Sequence, residues 1–141
     1  MVRYGRICAA RAVLPEAYLL VDIDDGHCDT EVACHVVRLL ESIGASGVII
    51  EDQQRPRKYG HYDDKKIMER NKFLVKLNSV LTTRRDLFIV AHTDVDEPAE
   101  MIRKAIAFNK AGAEAILVEA IKSITLLATL KREVSCPILY N

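Results

Sequence analysis

Short unbroken apolar runs alternate along this chain with longer segments in which apolar residues recur every three or four positions. The runs at 18–23, 48–50, 87–91, 115–118 and 138–140 have the length and composition of strands. None shows the in-and-out alternation of a half-solvated sheet, so they read as buried strands of a parallel one.

Between these runs the period is helical. Residues 2–12 are compatible with a helix, with Ile7, Cys8 and Arg11 along one flank, and Pro15 stops it. Asp29 or Thr30 caps the next helix, where Val32, Val36, Leu40 and Ile43 form a face to bury and Gly44 closes the end. Phe73, Leu77, Val80 and Leu81 face inward from a helix over about 69–83. Asp96 caps a fourth, opened by Pro98 and lined by Met101, Ile102, Ala105, Ile106 and Phe108, with Gly112 at its end. A fifth runs from Ser123 through Ile124, Leu127 and Leu130.

Five strands alternating with about five helices imply a parallel sheet built through right-handed crossovers. A complete eight-stranded barrel takes around 250 residues. The 141 residues here are therefore either an open doubly wound sheet or five consecutive units of a barrel. The expected organisation is α/β, a single truncated barrel-type domain over 1–141: a partial (β/α)8 arrangement of about five parallel strands.

Residues 51–66 follow neither period and are almost entirely polar. Structureless loops of that length are uncommon in compact domains and often serve as lids or binding loops. Arg57, Lys58, Tyr59 and His61 within it suit a carboxylate or phosphate ligand.

The carboxylates are the chemical signal. Asp22, Asp24 and Asp25 end the first apolar run, Glu51 and Asp52 the second, Asp94 the third and Glu119 the fourth. Acids gathered at strand ends repel one another unless water, a cation or a basic partner offsets the charge. Asp22 and Asp24, two apart, would share a strand face, and Glu51 ends the next strand. That set is the candidate metal site, and oxygen-only donors favour Mg2+, with Mn2+ as the alternative, over zinc. Solvated strand ends paired with arginines are the bland alternative. Asp25 and Asp52 read as caps or loop anchors. His27, His61 and His92 all fall at or beyond strand ends and would make a zinc triad if gathered. His35 reads as a surface or interface residue, and Cys34 as a small core residue.

Composition narrows the class. Half of the residues are hydrophobic, 28% are charged, and twenty Lys and Arg balance twenty Asp and Glu, so nothing in the charge calls for nucleic acid or an anionic membrane. No apolar run approaches the roughly 18 residues of a membrane span. Four cysteines without a CxxC pair suggest free thiols and a cytoplasmic setting.

Val21-Asp22-Ile23-Asp24-Asp25-Gly26, then Gly44 to Gln53, Pro56-Arg57-Lys58-Tyr59-Gly60-His61 and Ala91-His92-Thr93-Asp94, in that order, resemble the isocitrate lyase and phosphoenolpyruvate mutase superfamily. The methylisocitrate lyase-like and carboxyvinyl-phosphonate mutase-like members are the nearest in look. The resemblance implies a modified (β/α)8 barrel with magnesium at the strand ends, acting on small 2-oxo or 2-hydroxy acids. It also implies that the first two and the last barrel units lie outside this chain. Asp22, Asp24 and Glu51 match the family's metal-site acids. Arg57 falls at an active-site lysine, Tyr59 at the lyases' catalytic cysteine and His61 at the histidine after the loop glycine. Tyr59, Arg57 and His61 are thus the implied catalytic set. His92 stands where an arginine clamps the substrate, and with Asp25, Gly26 and Asn141 makes up the implied substrate-binding set.

Two functions follow as expectations. One is a magnesium-dependent lyase-like enzyme acting on a small dicarboxylate or phosphonate through an enolate, as a homo-oligomer or with a companion chain. The other is a catalytically impaired relative that serves as an oligomeric structural partner. A receiver-like phosphoacceptor domain, with Asp94 as acceptor, is a third reading. Strand order separates it from a barrel.

Overall fold

The computed structural model describes residues 4–27, 29–56, 58, 65–119, 121 and 123–140. In chain order the elements are α1 (Tyr4–Val13), β1 (Leu20–Asp22), α2 (Thr30–Ser42), β2 (Gly47–Glu51), α3 (Arg70–Thr83), β3 (Phe88–Thr93), α4 (Pro98–Ala111), β4 (Ala115–Val118), α5 (Ile124–Glu133) and β5 (Ile138–Tyr140).

Among the described residues these five strands pair in parallel, in the order β1-β2-β3-β4-β5. Each strand is added beside the one before it, as consecutive barrel units are. A receiver or other doubly wound sheet reverses direction across its middle, so this order sets both alternatives aside. Helices α2 to α5 pack neighbour against neighbour along one side of the sheet.

The core lies between those helices and the outer strand face. Val48, Ile50, Ile89, Ala91, Ile116 and Val118 meet Val37, Leu40, Phe73, Leu77, Val80, Met101, Ala105 and Phe108, all buried. The rings of Phe73 and Phe108 lie 4.9 Å apart at 57°, joining α3 to α4 by a tilted contact. Burying each large apolar side chain contributes about 1.5–3 kcal/mol before entropy is counted. Since successive strand residues alternate sides, Glu51 and His92 turn to the inner face while Ile50 and Ala91 fill the core.

Several local expectations shift. The first strand is three residues long rather than six, and Tyr18 is 94% exposed. Arg11 accounts for the shortening: its guanidinium donates to the carbonyls of Pro15, Ala17 and Gly44, turning the chain back before β1. The cap of α4 is Glu97, not Asp96, because Glu97 accepts from the N–H groups of Ala99 and Glu100. Ile124, expected on the buried side of α5, is 80% exposed, and Leu130 is the side chain of that helix that is buried. The Asp29 cap, with N–H donors from Glu31 and Val32, and the left-handed Gly44 are as expected. Cys34 is buried and His35 exposed. Cys8, Cys34 and Cys136 are free thiols. Among the described residues no helix is long and apolar enough to cross a membrane.

Candidate functional site

The parallel register pairs Glu51 of β2 directly with His92 of β3. The His92 ring then stands among carboxylates from three strand ends. Its Nδ1 is 3.7 Å from Glu51 Oε2, while Nε2 is 4.0 Å from Asp94 Oδ1 and 3.7 Å from Glu119 Oε2. These separations are too long for hydrogen bonds. Glu51, His92 and Asp94 are buried, and each can bring one ligand atom to within 4.8 Å of the others. His92 Nε2 is itself buried without a hydrogen-bond partner. An unsatisfied imidazole nitrogen among carboxylates fits a divalent cation better than it fits a closed structural network.

What holds the cluster is a second, fully satisfied network behind it. Asp52, completely buried, accepts from Thr93 Oγ1 at 2.6 Å, from the Asp94 N–H at 3.2 Å and from Lys104 Nζ at 2.5 Å. Lys104, on the core face of α4, also donates to the Met68 carbonyl at 2.9 Å. Helix α4 thereby ties the ends of β2 and β3 to the chain returning from the long loop. Burial pushes the Asp52 carboxyl up, and the Lys104 ammonium opposes that shift.

The loop enters and leaves through a small antiparallel stub. Gln53 bridges to Ile67, and the Gln54 N–H donates to the Lys66 carbonyl at 2.6 Å. From this stub Gln53 Nε2 reaches Asp94 Oδ2 at 3.0 Å, and Lys65 forms an ion pair with Asp94 Oδ1. Burial works against ionisation of Asp94. The bonds from Lys65 and Gln53, with the Lys65 charge, outweigh it and hold the carboxyl below its ordinary range.

After β1 the backbone turns through left-handed conformations at Asp24 (φ 58°), Gly26 (φ 67°) and His27 (φ 61°). Asp22 Oδ1 accepts the Asp24 N–H at 2.8 Å, and the Asp24 carbonyl accepts the Glu51 N–H at 2.9 Å. The expectation that Asp22 and Asp24 share a strand face therefore does not hold, because the strand ends at Asp22 and Asp24 belongs to a turn. Asp24 is nevertheless joined to Glu51 through the backbone. Asp25 is buried, and the Arg55 fork grips its two oxygens at 2.9 Å each. Lys76 donates to the Asp25 carbonyl at 2.8 Å from inside α3. A Cβ at Gly26 would come within 2.8 Å of Ala33 Cβ and 3.1 Å of Ile50 Cδ1, so close packing demands glycine there.

Carboxylates and an imidazole thus gather at the C-terminal ends of consecutive parallel strands, where barrel enzymes carry their sites. Residues 4–140 match the family described as phosphoenolpyruvate phosphomutase. The chain belongs to that family. The 2-methylisocitrate lyase of Aeropyrum pernix is 33% identical over 126 residues, covering 87% of this chain and 41% of the relative. The petal death protein of Dianthus caryophyllus is 35% identical over 114 residues, 77% of this chain and 36% of the relative. A structure of oxaloacetate acetylhydrolase with 3,3-difluorooxalacetate superposes with a TM-score of 0.89 at 24% identity, covering 98% of this chain and 50% of that one. Phosphonopyruvate hydrolase with oxalate and Mg2+ superposes at 0.79 and 21% identity, covering 99% and 52%. This phosphoenolpyruvate phosphomutase family chain spans less than half the length of those curated relatives. Its five strands in sequential order are a partial (β/α)8 barrel of the isocitrate lyase/phosphoenolpyruvate mutase superfamily.

Of the residues singled out from the sequence, Glu51 and His92 come together at the site, and Asp24 reaches it through its backbone. Asp22 is exposed at the end of β1. Asp25 and Asp52 are loop anchors. Arg57, Tyr59, His61 and Asn141 lie outside the described residues. So does His61 as a zinc-triad member, and His92 is instead surrounded by acids.

Sequence reasoning missed Asp94 as a partner of Glu51, although the His92-x-Asp94 spacing ending a strand carried the signal. It also missed the buried lysines. Lys104 sits three residues after Met101 and four before Phe108, and Lys76 sits between Phe73 and Leu77. A lysine on a core-facing stripe is the mark of a buried ion pair or carbonyl contact.

Proposed function

We propose that this chain carries the metal-assisted enolate chemistry of its superfamily, as a magnesium-dependent lyase-like protein acting on a small 2-oxo or 2-hydroxy dicarboxylic acid. The observation that carries the reading is the convergence of Glu51, His92 and Asp94 at one end of a barrel-type sheet, beside the backbone of Asp24. The relatives lend the substrate class: a 2-methylisocitrate lyase by sequence, and by fold a hydrolase bound to oxalate and Mg2+.

A divalent cation, Mg2+ or Mn2+, would be held by Asp22, Asp24 and Glu51, and when bound it supplies polarisation of the substrate carbonyl and stabilises negative charge on the enolate oxygen. The chain's own residues do the rest. Arg57 binds a carboxylate, and Tyr59 or His61 handles the proton. A phenol, with an ordinary pKa of about 10, needs a polarising neighbour for that task. His92, Asp25, Gly26 and Asn141 bind the substrate. The same reading takes the protein to be cytoplasmic and to work as a homo-oligomer or beside a companion chain.

A second reading, a folded oligomeric partner without turnover, is favoured by the imidazole of His92, which cannot supply a guanidinium's bidentate fork. Titration calorimetry of Mg2+ with and without oxalate separates the two. Oxalate imitates the enolate of a 2-oxo acid. Binding that requires both Mg2+ and oxalate, and that Asp22→Ala and Glu51→Ala abolish, supports enolate chemistry and leads to a screen of small dicarboxylates. A folded protein that binds no oxalate at any Mg2+ concentration leaves the non-catalytic reading.

A further inference from the structure

We propose that Glu51, His92 and Asp94 form an imidazole-containing cation centre that prefers ions of the Zn2+, Co2+ and Ni2+ class over Mg2+. The inference rests on the reading that a cation works at this end of the sheet, and it names which ion the residues select.

The first observation is spacing. Two ligands each about 2.1 Å from a tetrahedral ion stand about 3.4 Å apart. The 3.7 and 4.0 Å from His92 Nε2 to Glu119 Oε2 and Asp94 Oδ1 lie close to that value and beyond hydrogen-bond reach, and Glu51, His92 and Asp94 each bring one donor atom to within 4.8 Å of the other two. Small side-chain adjustments bring such a set onto one ion.

The second observation is independent of the acids. His92 is 8% exposed, and its Nε2 has no partner in a protein interior where such atoms are nearly always paired. The ring is aimed at Asp94 and Glu119 through that nitrogen.

The third is the donor chemistry. Imidazole nitrogen raises affinity along the Irving–Williams order and adds little for Mg2+, which seeks six oxygens and keeps its waters. The frame is tied down: Asp52, Thr93 and Lys104 hold the backbone just after His92, so the donors need little ordering on binding. One counter-cation is already present, since the Lys65 ammonium pairs with Asp94 Oδ1. An ion that uses this oxygen displaces Lys65 and meets its competition.

Cobalt is the probe, because its visible spectrum reports coordination without any turnover. Co2+ is titrated into the full chain by absorption, and Zn2+, Mn2+ and Mg2+ are compared by calorimetry, in parallel for wild type, His92→Ala and Lys65→Met. The expected result is d–d absorption at low coordination number, with Zn2+ and Co2+ bound more tightly than Mg2+. Because outer-sphere partners alone are worth 10–100-fold, His92→Ala should weaken Co2+ at least about 100-fold and leave Mg2+ near its parent value. Lys65→Met should tighten Co2+ several-fold, since the ion no longer has to displace an ammonium from Asp94 Oδ1. Circular dichroism checks that each variant is folded, and His92→Gln serves as the substitute should His92→Ala fail that check. Co2+ affinity indifferent to His92, or weakened by Lys65→Met, overturns the proposal. Oxalate binding with Mg2+ in a protein whose Co2+ affinity His92→Ala leaves unchanged would sink this inference and leave the enolate reading standing. A His92-dependent Co2+ spectrum without oxalate binding would do the reverse.

Discussion

His92 lies directly across the β2–β3 register from Glu51, with its Nδ1 3.7 Å from the Glu51 carboxylate. The pairing puts a basic nitrogen and an acid on the inner face at the same height, one strand apart. Behind them the Asp52–Lys104 pair closes the same two strand ends from the helix side. Site and support are thus built on adjacent residues with opposite side-chain directions.

That support should be costly to break from one side. Removing Lys104 leaves the Asp52 carboxylate buried without its counter-charge. Lys104→Met is expected to lower unfolding stability by about 3–5 kcal/mol. The double variant Asp52→Asn/Lys104→Met should lose less than Lys104→Met alone, since no charge is stranded. Urea unfolding measures both; a double variant less stable than the single would contradict the account.

Glu41 gives the clearest pH dependence. Its carboxylate accepts the N–H groups of Arg85, Asp86 and Leu87, fastening the end of α2 to the turn before β3. Burial opposes its ionisation, but these three bonds and the Arg85 charge hold the carboxyl below its ordinary 4.5. A folded pKa below the unfolded one adds stability that is complete above about pH 5 and is lost as pH falls through the folded value. Glu41→Gln should cost about 1 kcal/mol at pH 7, and that difference should shrink as pH falls below the ordinary 4.5. Thermal unfolding of both proteins over a series of pH values from 7 downward checks the convergence.

Gly26 is constrained twice, by φ 67° and by Ala33 Cβ 2.8 Å from where its own Cβ would lie. Gly26→Ala should destabilise by about 2–4 kcal/mol, from left-handed strain and overpacking together. Pairing it with Ala33→Gly should return part of that loss, and a double variant no more stable than Gly26→Ala would remove the steric cause.

Arg55 holds the buried Asp25 with two bonds of 2.9 Å. Arg55→Ala is expected to cost about 1–2 kcal/mol, tempered by the exposure of the arginine side chain. Arg55→Lys should restore less than half, because an ammonium cannot reproduce the fork. Chemical denaturation of the three proteins makes the comparison.

The alternation of apolar runs with helical periods determined by itself that this is a parallel α/β chain, and the acids ending each run marked which end of the sheet would carry chemistry. Those signals are local: a run of Val and Ile reads as a strand wherever it sits, and Asp29, Pro98 and Gly112 act within one turn of a helix. Motif order was equally legible, and the family match over 4–140 agrees with it. What tertiary structure alone decided was which acids meet. Asp22 and Asp24 are neighbours in sequence, yet a left-handed turn parts them, whereas Glu51 and His92 are 41 positions apart and become adjacent through the strand register. Lys104 and Lys76 were concealed for the same reason: a charge on an apolar face becomes interpretable once its partner, Asp52 or the Asp25 carbonyl, arrives from a distant strand end. Register and crossover geometry set those meetings, and neither is written in the residues nearby.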